Sequence, residues 1–129
     1  MAENPLVTPS FDEAAGRHLV EALDGAHFPV TAALWLYNPE ANDWRLLIVS
    51  PGVSGNNLSQ AFTQLHQIAK GLPEFPLLLS AVSLIEPDDP LIVQLRKALK
   101  TGPKDIAGIR FSRNVIDGTY IEDAYIYRL

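Results

Sequence analysis

The sequence contains no cysteine. That absence excludes disulfides and Cys-ligated zinc, and it suits a reducing compartment. Long apolar runs are missing too. The longest, residues 75–85, contains Pro76 and is too short to cross a bilayer. The opening MAENPLVTPSFDE has no basic region followed by an apolar core, so no signal peptide is expected. These absences predict a soluble cytoplasmic protein with no membrane association.

Positive charge is scarce. Ten Lys and Arg stand against fifteen Asp and Glu, for a formal net charge of −5. Residues 1–45 hold seven acids and two bases, whereas residues 86–129 hold seven of each. An acidic balance disfavours general DNA or RNA binding, which needs a basic footprint. Internal repeats, low-complexity segments and domain-dividing linkers are absent. So are a nucleophile elbow, a zinc motif, a nucleotide-binding loop and a nuclease signature. No catalytic residue, metal or cofactor is therefore assigned.

What is present is a chain of 129 residues with 47% hydrophobic content. That fits one domain, residues 1–129, able to bury roughly two thirds of its unfolded surface. The stretch from Val30 to Pro51 anchors the architecture. Two strands, Val30–Tyr37 and Trp44–Ser50, flank the polar turn Asn38–Asp43. Pairing them sets Tyr37 against Trp44, Trp35 against Leu46 and Ala33 against Ile48 on one face. Leu36 then meets Arg45, Leu34 meets Leu47 and Ala32 meets Val49 on the other. Strands apolar on both sides are central and covered on both faces. Arg45, near the turn, is expected to reach water.

Around this hairpin the reading is as follows. Residues 1–9 form an extended arm. Ser10 with Glu13 makes a capping box, opening a helix from Phe11 to about Asp24, with Gly25 just beyond its end. A second helix carries Leu58, Ala61, Phe62, Leu65, Ile68 and Ala69 on one face and ends at Gly71. Leu77–Ile85 reads as one buried strand. Asp89 caps a third helix that starts at Pro90 and stops before Gly102. Asp117-Gly118 signals a tight terminal hairpin pairing Ile116 with Thr119. In that register Val115 faces Tyr120, Arg113 faces Glu122, Phe111 faces Ala124 and Ile109 faces Ile126. The opposite face sets Asn114 beside Ile121, Ser112 beside Asp123 and Arg110 beside Tyr125. The order α-β-β-α-β-α-β-β predicts an α+β (or α/β) fold, with a five-stranded mixed sheet and three helices.

The first candidate site is the polar face of the terminal hairpin: Arg110, Ser112, Asn114, Asp123, Tyr125 and Tyr127. Arg110 lies diagonally across from Asp123, within pairing reach. Tyrosine and arginine favour interfaces, although the outer face of an antiparallel sheet is ordinarily solvated. A weaker candidate is the loop Gly52, Ser54, Gly55, Asn56 and Asn57 before the second helix, whose N–H groups suit an anion. It lacks the residues of a Walker loop or dinucleotide fingerprint, and a plain turn with an Asn cap explains it.

His18, His27 and His66 show no metal-ligand spacing. His18 reads as a partly buried packing residue. Glu86, Asp88 and Asp89 precede a helix, where acids complement the dipole. Arg96, Lys97, Lys100 and Lys104, with Arg110 and Arg113, read as a solvated basic surface. The leading expectation is a small non-catalytic protein acting through protein–protein contact, as an accessory subunit or by self-association. An enzyme that grips an anion with Arg110 and uses Asp123 as acid or base is the alternative. Nucleic-acid binding through the Arg96–Arg113 region ranks third.

Overall fold

A computed structural model describes residues 11–75, 77–99, 101–102, 105–116 and 118–129. The elements are α1 (Glu13–Gly25), β1 (Ala32–Asn38), β2 (Asp43–Val49), α2 (Leu58–Ala69), α3 (Leu77–Ala81), β3 (Val82–Ile85), α4 (Pro90–Ala98), β4 (Ile109–Ile116) and β5 (Thr119–Arg128). This is an α+β fold on a single five-stranded sheet, in the order β3-β2-β1-β5-β4. β2 and β3 run parallel, and every other pair is antiparallel. The expected element order holds, with one short helix added. Among the described residues no helix is long and apolar enough to cross a membrane.

The β1–β2 hairpin forms in the expected register, from Ala32 opposite Val49 to Tyr37 opposite Trp44. Both of its faces are buried. On one, Ala33, Trp35, Leu46 and Ile48 meet Leu19 and Leu23 of α1 and Leu65 of α2. On the other, Ala32, Leu34, Leu47 and Val49 meet Ile92 and Leu95 of α4. Period-two alternation with apolar residues on both sides can be satisfied only between two layers. Helices therefore cover the sheet on each side.

The start of α1 differs from expectation. Its N-cap is Asp12, whose Oδ1 accepts from Ala15 N at 3.0 Å. The helix begins at Glu13, and Ser10 and the extended arm lie outside the described residues. Phe11 is thus freed from the helix and packs beside it. Gly25 closes the helix, and the left-handed residue after it is His27, at φ 63°. α4 matches its sequence signals: Asp89 Oδ1 accepts from Leu91 N at 3.0 Å and Pro90 is the first helical residue.

Leu77–Ile85 is corrected from a single strand to a helical turn followed by a strand. Only Val82–Ile85 pairs, alongside Leu46–Val49 of β2. Arg45 stabilises the change of conformation. Its Nη1 donates to Ser80 O at 2.9 Å, and its Nη2 donates to Val82 O at 3.3 Å and Ser83 Oγ at 2.8 Å. The Arg45 head is partly exposed, as expected near the turn, and is also tied to the sheet edge.

The terminal hairpin keeps its register throughout, with one exception. Arg113 and Glu122 do not pair, because Arg113 takes φ 51°. A left-handed residue inside a strand breaks the alternation. Before it, Ala124 and Ile126 face the α4 side. Beyond it, Ile121 does so as well, although it is an odd number of positions from them along β5, and so does Ile116, an odd number of positions from Phe111, which packs on the same side. The faces of the hairpin tip are exchanged relative to expectation. Gly118, at φ 84°, supplies the left-handed turn position; Asp117 lies outside the described residues.

A second irregularity shapes the end of β5. Ala33 of β1 pairs with Arg128 while Leu34 pairs with Ile126, so Tyr127 is the extra residue of a bulge. The bulge sets Arg128 on the face of Ala33, beneath α1. There Arg128 Nη1 and Nη2 donate to Asp24 at 3.0 and 2.8 Å.

Candidate functional site

Pairing within the β4–β5 hairpin brings Arg110 opposite Tyr125 and Ser112 opposite Asp123. Arg110 Nε and Nη2 donate to the two carboxylate oxygens of Asp123 at 2.6 and 2.5 Å. This fork is a bidentate ion pair, the strongest geometry available to the two groups. The hydrogen bonds from Arg110 hold the Asp123 carboxyl below the usual carboxylate range, and Asp123 in turn raises the guanidinium. Asp123 is therefore an ionised acceptor already occupied by its partner. Arg110 offers only its remaining donors to any other group.

The six expected residues divide. Arg110, Asp123 and Tyr125 come together, with exposed Ser112 beside them. Tyr127 faces the core: its hydroxyl accepts from Trp35 Nε1 at 3.0 Å and donates to Glu13 O at 2.7 Å. Burial pushes that phenol well above its ordinary pKa. Asn114 lies past the break at Arg113, where its Oδ1 accepts from Val115 N at 2.9 Å.

Sequence reasoning missed that this face carries a cover. The Phe11 ring lies 5.8 Å from Trp35, 5.0 Å from Trp44 and 5.3 Å from Tyr125, with the Arg110 guanidinium 6.0 Å from its centroid. A helix starting at Phe11 would place this residue inside α1, whereas the cap at Asp12 leaves it outside. The signal is Asp12 itself, an N-cap residue type two positions after Ser10.

The tip of the hairpin is the most exposed part of the sheet. β5 pairs with β1 only from Ala124 to Arg128, so Thr119–Asp123 extend beyond it. One face of the tip is supported by α4, where Thr119 Oγ1 donates to Gln94 Oε1 at 2.7 Å. The other face presents Val115 and Tyr120, 58% and 56% exposed and directly opposite each other. Tyr120 donates to Glu122 Oε1 at 3.1 Å. Among the described residues no strand neighbours the outer edge of β4.

The Gly52–Asn57 loop is closed on itself. Asn57 Oδ1 accepts from Ser54 N at 2.8 Å and Asn57 Nδ2 donates to Gly52 O at 2.6 Å. Its side chain makes no bond to the start of α2. The loop forms one wall of a cleft of about 630 Å³, between the α1–β1 connection and α2. Gln60, Gln64 and Gln67 of α2 also line it, as do His27 and Phe28 of the α1–β1 connection. These glutamines were also missed. The available signal was the absence of any Asp, Glu, Lys or Arg between Arg45 and Lys70.

The remaining candidates have local roles. His18 Nδ1 lies 2.9 Å from Glu74 Oε2, and Asp89 caps α4. Glu86, Asp88 and Asp89 line a smaller cleft of about 470 Å³ at the ends of β2 and β3. Arg96 Nη2 donates to Thr31 O at 3.0 Å. Lys100 and Lys104 lie outside the described residues. Among the described residues no group of three His, Cys, Asp or Glu is placed to hold a metal ion. Comparison with known protein families, curated proteins and solved structures finds no match for this chain.

Proposed function

We propose that the chain is a small non-catalytic protein that acts through protein–protein contact at the β4–β5 hairpin. The observation that carries this reading is the tip: an open β4 edge beside an exposed Val115–Tyr120 pair, extending past β1. Open edges add strands from other chains, and a neighbouring aromatic gives such contacts an anchor. The locking of Asp123 to Arg110 supports binding over acid–base chemistry on the same hairpin. The acidic net charge supports a protein partner over nucleic acid, and the lack of cysteine supports a cytoplasmic setting.

The charge of β4 favours a different protein over a second copy. Ile109–Ile116 carries Arg110 and Arg113 and no acid. Self-pairing sets like charges side by side, whereas an acidic partner strand complements them. The test is capture of the tagged full chain from its source cells at mild salt, with the mass of the assembly measured by native mass spectrometry. A stoichiometric partner that a Val115→Glu/Tyr120→Glu variant fails to retain supports the reading. A strict monomer, or a partner held equally by the variant, overturns it.

A further inference from the structure

The cleft between the α1–β1 connection and α2 lies away from the hairpin and is built differently. Its volume of about 630 Å³ falls within the roughly 300–1,000 Å³ of small-molecule sites. Three of the chain's four glutamines line it. Gln60, Gln64 and Gln67 recur at four and three positions along α2, which sets them on one helical face. All three are exposed, and among the described residues none bonds another part of the protein. Among the described residues no Asp, Glu, Lys or Arg lines the cleft. Solvated helix faces ordinarily carry Glu and Lys, so a wholly uncharged exposed face is a departure that solubility does not explain.

We propose that this cleft binds a neutral nucleoside through its base. A carboxamide sets an N–H donor beside a C=O acceptor in one plane. That pair matches the adjacent donor and acceptor on the edge of a nucleobase, as when Gln reads adenine. Phe28, Val53, Ala61 and Ile68 provide apolar surface for the face of the base. His27, in its left-handed turn, also lines the cleft. The lack of any lysine or arginine leaves nothing to balance a phosphate, which selects the nucleoside over the nucleotide.

Calorimetric titration of the full chain with adenosine, guanosine, cytidine and uridine tests the proposal, with adenosine monophosphate and maltose run alongside. Saturable binding of at least one nucleoside is expected. In a Gln60→Ala/Gln64→Ala variant its Kd should rise about tenfold, equivalent to about 1.4 kcal/mol. Alanine suits a helix, and unchanged melting will show that α2 is intact. Thr63→Ala, on the same helix outside the cleft, should leave Kd within about twofold. The proposal is overturned if no nucleoside saturates at millimolar concentration, if the double variant binds as tightly, if the monophosphate binds more tightly than adenosine, or if maltose binds instead.

Discussion

Removing the more exposed partner of the Arg128–Asp24 pair should harm the protein more than removing the buried one. The Arg128 side chain is 1% exposed and that of Asp24 is 36% exposed. The guanidinium donates to both Asp24 oxygens, to Val30 O at 3.1 Å and to Asp105 O at 2.8 Å. It thereby joins the end of α1, the start of β1 and the segment before β4. Asp24→Asn leaves a full positive charge buried with neutral acceptors only, at a cost of about 3 kcal/mol. Arg128→Met removes that charge, lets Asp24 hydrate, and strands two carbonyls, at a cost of about 1–3 kcal/mol. For a chain of this length, each kcal/mol lowers Tm by about 3–5 °C. Urea unfolding and calorimetry of both single variants and the double variant give the order directly. The double variant should resemble Arg128→Met alone, because the charge that Asp24 serves is gone. If Asp24→Asn costs under about 1 kcal/mol, the pair behaves as a surface ion pair and the reasoning is refuted.

Other consequences follow from single contacts. In Gly16→Ala the new Cβ would fall 2.7 Å from Trp35 Nε1 and closer still to the Tyr127 hydroxyl, so α1 must shift and thermal stability should fall by about 1–3 kcal/mol. The folded pKa of Asp123 is depressed, so its contribution is present above the unfolded carboxylate pKa, roughly 3.9. That contribution is lost as pH falls through the folded value. Melting curves of Asp123→Asn should therefore fall short of wild type above roughly pH 4 and converge on it only as pH falls below the folded value. Deleting Tyr120–Leu129 removes the strand between β1 and β4, and circular dichroism should show an unfolded chain. Arg113→Gly, at φ 51°, should be stabilising by about 0.5–1 kcal/mol in denaturant melts, whereas Arg113→Val should destabilise.

The parts legible in the sequence were those decided by neighbours in the chain. The β1–β2 register followed from period-two patterning across one polar turn, and the start of α4 from Asp89 and Pro90. Leu77–Ala81 was not legible, because a short apolar run serves a buried helix or a buried strand equally. Long-range bonds from Arg45 accompany the outcome. The exchange of faces at Arg113 had a warning: Ile121 stood alone among polar residues on the face assigned to Arg110. Arg110 and Asp123 were found together because register alone places them. The Phe11 cover was not found, since it depends on where α1 begins, and strand order was not found, since it rests on pairings between distant segments.

The two edges of the sheet limit association in different ways. β3 has four residues, so it offers only a short edge to another strand. β4 is longer, but Arg113 breaks it into Ile109–Ser112 and Asn114–Ile116. A partner strand adding there must accommodate the left-handed residue, or stop at it. An edge interrupted in this way does not template a second identical strand, which needs an unbroken ladder. Arg110 and Arg113 oppose the same outcome by charge. A strand added as proposed would complete the β4 edge without offering an equivalent one, so the assembly would close after one partner. On the proposed reading, the features that would make the hairpin a contact surface are the same ones that keep it from propagating into a fibre.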